Sequence, residues 1–197
     1  RTYRQKWYAG ETISVSIGQG ALTVTPLQMA YAIGGLATGG VWQRPHLVKE
    51  RKDDERSRRV ELNLENVNKV IYGMYGVVNE GGTGGRARLP GLEVCGKTGT
   101  AQLASNQVLK GTELGRSMKD NAWFVGFAPR QAPEIVVVTL FEAGEHGNLA
   151  APIVRDVIKA YFDKRARNAQ PQLQMAGLPG LLTPPAAAPA PREDPRE

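Results

Sequence analysis

Residues 96–100 read Gly-Lys-Thr-Gly-Thr and directly follow Leu92-Glu93-Val94-Cys95. A cation, two hydroxyls and two glycines in five positions suit two unrelated chemistries. One is a substrate-binding strand edge in a serine acyl-transfer enzyme. The other is a phosphate-binding loop. The surrounding elements must decide between them.

The phosphate-loop pattern is met literally by residues 91–98, Gly-Leu-Glu-Val-Cys-Gly-Lys-Thr. Residues 135–142 also imitate the apolar strand ending in an acid that holds magnesium. A nucleotide and magnesium would then be bound. The motif, however, needs a buried strand before its first glycine and a helix after its Lys-Thr. Arg86-Ala87-Arg88-Leu89-Pro90 stands before it, basic and ended by proline, and Gly99 follows Thr98. Glycine at a helix start costs about 1 kcal/mol relative to alanine.

Read as a strand, residues 93–102 place Lys97 and Gly99 on one face and Thr98 and Thr100 on the other. Glycines at 96 and 99 leave little bulk over the backbone, so a substrate peptide can pair as an added strand. The threonine hydroxyls suit a carboxylate. Lys97 supplies positive potential to the same anion and can assist proton transfer.

Other segments indicate the elements that position this strand. Ile13, Val15 and Ile17 alternate with Thr12, Ser14 and Ser16, a strand period ended by Gly18 and Gly20. Thr25-Pro26-Leu27-Gln28 predicts a capped helix that Gly39-Gly40 ends. Residues 41–48 suggest a short strand broken by Pro45. Val67, Val70, Ile71, Met74, Tyr75 and Val78 predict an amphipathic helix capped by Asn63. A flexible link over 81–91 is expected next. Residues 122–128, apolar on both faces, and 134–142 predict an antiparallel hairpin turned at 129–133. A helix from Pro152 carries Ile153, Val154, Val157, Ile158, Tyr161 and Phe162 on one stripe. The fold class is α/β in the sense of mixed α and β, an antiparallel sheet packed by helices.

Composition narrows the function classes. The chain has 197 residues and net charge +6. That length suits one domain over 1–168 with a Pro/Ala-rich, disordered tail over 169–197. The basic balance is dispersed, and 49–59 mixes both signs, so nucleic-acid binding is not expected. A single cysteine and two histidines argue against a Cys- or His-rich metal site. No cofactor is called for. The longest apolar run, 135–141, is too short to span a membrane. Residue 1 is Arg, which suggests a processed chain or a piece of a longer one.

Lys97-Thr98-Gly99 resembles the third motif of the penicillin-recognising serine enzymes. Residues 7–20, Trp-Tyr-Ala-Gly-Glu-Thr-Ile-Ser-Val-Ser-Ile-Gly-Gln-Gly, and 25–30, Thr-Pro-Leu-Gln-Met-Ala, look like class B penicillin-binding proteins of the cell-elongation, penicillin-binding protein 2 type. Residues 96–102 and 123–129 continue the likeness in order, over roughly residues 3–165. The resemblance implies the C-terminal part of a transpeptidase domain with a serine β-lactamase-like fold. The implied activity is peptidoglycan D,D-transpeptidation through a serine acyl-enzyme. By resemblance, Lys97 and Thr100 act in catalysis, and Thr98, Gly99 and Thr100 bind substrate. The Thr100 N–H would form half of an oxyanion hole. Implied partners are D-Ala-D-Ala stem peptides, β-lactams, a membrane glycosyltransferase and elongation-complex proteins. The implied place is the inner membrane, with this domain on the periplasmic side and the anchor outside this chain. A β-lactamase or β-lactam sensor fits residues 7–30 less well, and a noncatalytic penicillin-binding-like scaffold is the remaining alternative.

The chain departs from that family in one respect. The serines are Ser14, Ser16, Ser57, Ser105 and Ser117, and none lies in Ser-x-x-Lys or Ser-x-Asn. The chain alone is therefore expected not to be acylated. Other residues have plainer readings. Cys95 suits a small core residue, and Gln19 and Trp123 suit structural roles, packing the sheet or the cleft wall. His146 suits a surface turn, and His46 has no evident partner. Residues 103–120 suit a solvated loop or an overhang above a cleft.

Overall fold

The computed structural model describes residues 6–20, 22–48, 57–102 and 119–176. The expectations for 49–56, for most of 103–120 and for 177–197 lie outside the described residues. The chain divides into two units, residues 1–161 and 162–197. The second is described only by its helical stretch to Ala176.

The first helix, α1, spans Ala9–Ser16 and corrects the strand expected there. Its ending explains the difference. Gly18 takes φ 75°, the Gln19 N–H donates to the Ser14 carbonyl and the Gly18 N–H to that of Val15, at 2.9 Å each. This is a Schellman closure, which satisfies orphan carbonyls and needs glycine at the left-handed position. The Ser16 hydroxyl bonds back to the Ile13 carbonyl and the Trp7 indole donates to Thr12. Two of the three alternating hydroxyls, on Thr12 and Ser16, thus make local bonds, and the period-two pattern reports no strand. α1 buries no residue of its own.

α2, Pro26–Ala37, begins in the expected capping box, the Gln28 N–H donating to Thr25 Oγ1 at 3.2 Å and the Thr25 N–H to Gln28 Oε1 at 2.8 Å. Gly35 admits the Trp42 ring, which stands about 2 Å from where a Cβ would lie. Strand β1 is shorter than expected, Val41–Gln43, and pairs antiparallel with β2, Ser57–Arg59. His46 does find a contact: Nδ1 lies 3.3 Å from the Arg44 carbonyl oxygen. α3, Leu64–Asn79, is capped by Asn63 and buries Val67, Ile71, Met74 and Val78 of the expected stripe, while Tyr75 is half-buried and Val70 is exposed.

Residues 81–91 are not the flexible link expected. Gly84 lies where a Cβ would meet the Phe124 ring and Val77 at 2.9 Å, Ala87 is fully buried in a 3-10 turn over Gly85–Ala87, and Leu89 bridges to Leu92. The glycines permit close approach.

Strands β3, Cys95–Ala101, β4, Asn121–Ala128, and β5, Ile135–Phe141, form an antiparallel sheet in that order, with the hairpin expected between β4 and β5. The register sets Lys97 opposite Val125 and Gly99 opposite Trp123. Phe127 and Cys95 pack with Ala37 of α2 and with Val67, Ile71 and Met74 of α3. On the opposite face, Gly126 meets Val154 of α4, Ala151–Ala176. Burial on both faces accounts for the doubly apolar β4. α4 runs past residue 169, where the composition changes.

Cys95 is fully buried, as its neighbours suggested, and burial pushes its thiol up to about 12, with Arg130 opposing and Glu93 adding. Its folded pKa exceeds the ordinary 9.0, so its contribution to stability is full below pH 9 and is lost as pH rises toward 12. Urea unfolding across that window should show the native chain losing stability relative to Cys95→Ala. Equal slopes for the two would contradict this. A thiol reagent at neutral pH should modify Cys95 only after unfolding.

Candidate active site

β3 lies at the edge of its sheet among the described residues. Lys97 Nζ donates to the Thr98 carbonyl at 2.7 Å, and Gln19 Nε2 donates to the Thr100 carbonyl at 3.0 Å. Neither donor comes from β4. In an antiparallel ladder a residue directs its N–H and C=O to the same side. Thr98 and Thr100 therefore present both groups at the open edge, while Gly99 between them turns its own toward Trp123. The edge is a template for an added strand. The Thr100 N–H is available to an oxygen developing negative charge there.

Gln19 is the residue just beyond the Schellman glycine of α1, so the helix ending aims its amide at β3. The Thr83 hydroxyl lies 2.8 Å from that of Thr98. Thr83 was hidden in the glycine-rich segment read as a link, where a hydroxyl flanked by glycines was the available signal. Gly147 seats a 3-10 turn, Gly147–Leu149, against β3 and β4. A Cβ on Gly147 would lie 2.6 to 2.7 Å from Gly99 O, Gly99 N and Trp123 O. This seat brings His146 and Asn148 to the strand.

Two cavities flank the edge. One, of about 520 Å³, is lined by Thr83, Lys97, Thr98, Thr100, His146 and Asn148 among others. The other, of about 760 Å³, runs from β3 along Leu22, Val24, Met29, Val70, Met74 and Val77. Trp123 lines the second, in keeping with the cleft-wall role that its sequence reading allowed. Lys97, Thr98, Gly99 and Thr100 thus stand together as expected, and Gln19, Thr83, His146 and Asn148 join them. The phosphate-loop alternative fails on geometry. Gly96 to Thr98 are extended and β3 continues to Ala101, so Thr98 is followed by strand where a phosphate loop needs the first turn of a helix.

Residues 2–159 match the penicillin binding protein transpeptidase domain. The chain belongs to this family. The peptidoglycan D,D-transpeptidase MrdA of Acinetobacter baumannii is 36% identical over 180 residues, covering 85% of this chain and 27% of that protein. The Pseudomonas aeruginosa PBP2 crystal structure in complex with WCK 5153 aligns with TM-score 0.67 at 37% identity, over 80% of this chain and 34% of that one. Helicobacter pylori PBP2 in its complex with MreC aligns with TM-score 0.65 at 29% identity, over 80% of this chain and 28% of its own. The penicillin-binding protein 2 resemblance and the mixed α and β fold therefore hold. The chain is part of a transpeptidase domain and spans 27% of the MrdA relative's length. Among the described residues, no helix is long and apolar enough to cross a membrane.

Proposed function

We propose that this chain supplies the substrate-holding wall of a peptidoglycan D,D-transpeptidase, the activity named for its MrdA relative. The observation that carries the reading is the open β3 edge, with outward Thr98 and Thr100 braced by Gln19 and Thr83. The donor stem peptide pairs along this edge, and Gly99 lets its backbone approach. Thr98 and Thr100 bind the terminal carboxylate of D-Ala-D-Ala, or that of a β-lactam, and Thr83 fixes the Thr98 hydroxyl. Lys97 adds positive potential to the carboxylate and to the serine network. A serine from the rest of the transpeptidase domain attacks the penultimate carbonyl. The oxygen that becomes negative is met by the Thr100 N–H, and D-alanine leaves. An amine on a second stem then takes the acyl group. The nucleophile-bearing part covers the apolar cleft beside β3, whose lining is too hydrophobic to serve the peptide alone.

In the complete protein this domain works at the periplasmic face of the inner membrane, beside a glycosyltransferase and elongation-complex proteins. The H. pylori PBP2–MreC complex supports that last kind of partner. Fluorescent penicillin tests the reading. The complete protein should be labelled covalently at a serine outside this chain, and the chain alone should remain unlabelled. A label on Ser14, Ser16, Ser57, Ser105 or Ser117 would overturn the division of labour. No label on the folded complete protein would favour the noncatalytic scaffold.

A further inference from the structure

We propose that His146 is the general base that takes a proton from the acceptor amine as it attacks the acyl-enzyme, with Asn148 orienting that amine. This rests on the transpeptidase reading above and concerns its second half-reaction. His146 and Asn148 are exposed, and they line the polar cavity together with Lys97, Thr98, Thr100 and Thr83. The donor carboxylate occupies the threonine side of that cavity, so an incoming amine meets the imidazole side.

The segment carrying His146 is held there against backbone preference. Ala143 and Glu145 both take left-handed conformations, φ 55° and 60°, which are unfavourable for residues with a Cβ. Strain of this kind persists where surroundings over-determine it, commonly at functional sites. Here the surroundings are identifiable. The Ala143 N–H donates to Asn121 Oδ1 at 3.0 Å, and the Glu145 N–H donates to the Asp120 carbonyl at 2.8 Å. The Glu145 carboxylate pairs with Lys119 at 2.9 Å, and Gly147 sits without clearance on Gly99 and Trp123. A solvated turn would need none of these four ties.

Among the described residues, Lys97 lines the same cavity as His146, Glu145 is its chain neighbour, and Lys119 pairs with Glu145. Hydrogen bonding and charge from Lys119 hold the Glu145 carboxyl below its ordinary range, so Glu145 stays an anion committed to Lys119. Lys97 donates to the Thr98 carbonyl and serves as a cation. His146 thus brings an imidazole, whose ring nitrogen can accept a proton, to the lining of the same cavity. In the step, the amine nitrogen bonds the acyl carbon and the serine ester C–O bond breaks. One amine proton passes to the neutral imidazole, and the imidazolium returns it to the departing serine oxygen. No oxidant or reductant is involved.

The test uses the complete protein with a donor stem peptide and an amine acceptor. His146→Ala should still form the acyl-enzyme but pass it to the acceptor ~100-fold more slowly, the usual scale of a lost general base. The acyl-enzyme should accumulate, and added imidazole should restore turnover. Native-like acceptor turnover would overturn the proposal. So would equal losses in both half-reactions without imidazole rescue, the mark of a merely structural role. Failure of the native protein to be acylated would remove the transpeptidase reading itself, a separate result.

Discussion

Lys97→Ala in the complete protein should slow acylation by penicillin by roughly 100- to 1,000-fold, the range measured when one preorganised donor is removed from a site of developing charge. Lys97 is exposed, and its bond is to the adjacent Thr98 carbonyl. Its removal should therefore move stability by no more than about 0.5 kcal/mol, as for other surface positions. That separation matters, because a slow variant that is also unfolded would say nothing about chemistry. Stopped-flow acylation with a chromogenic β-lactam, alongside urea unfolding, measures both quantities. An unchanged acylation rate would remove Lys97 from the mechanism. A large stability loss would make it a structural residue instead.

The second large effect involves no functional group. Gly147→Ala places a methyl group 2.6 to 2.7 Å from Gly99 O, Gly99 N and Trp123 O. These are backbone atoms of paired strands, so no rotamer change relieves the contact. Overpacking of this kind costs about 1–3 kcal/mol. The turn must lift from β3 and carry His146 and Asn148 with it. Expected results are a lower unfolding midpoint and slower transfer to acceptor, although every polar side chain of the site remains. Gly73→Ala is the stability control, since nothing lies within 4 Å of its Cβ position and α3 gains a better helix former there. A Gly147→Ala protein as stable as the native one would show that the turn is free to move and that the close seat does not hold it.

Both predictions concern the same strand, yet they differ in how far the sequence anticipates them. Lys97 announces itself through neighbours in the chain. Gly147 does not, because the atoms that forbid its Cβ belong to Gly99 and Trp123, distant along the chain. Residues 81–91 teach the same lesson. Five glycines with one threonine look like a hinge in one dimension. Packed against Val77 and Phe124, they are a close-fitting segment that aims Thr83 at Thr98. α1 is an instructive miss of another kind. Its alternating β-branched residues and hydroxyls imitate a strand, but Gly18 allows a Schellman closure and the Thr12 and Ser16 hydroxyls bond locally. The stop signal at Gly18 was legible. Its meaning as a helix end was not, because a glycine ends either element.

By itself the sequence determined the elements whose signals are local. These are the capping box of α2, the buried stripe of α3, the β4–β5 hairpin, and the extended run through Lys97, Thr98, Gly99 and Thr100. It also determined that Ser-x-x-Lys is absent, and, through resemblance, the family. Local signals suffice there because caps, periodicities and turns are short-range consequences of backbone geometry. Only the tertiary structure decided which groups the expected strand edge presents: among the described residues, its threonine carbonyls face outward. It alone decided that Gln19, Thr83, His146 and Asn148 converge on that edge. The physical reason is that strand order and the seating of one backbone on another depend on contacts between residues far apart in the chain, which no window of sequence contains.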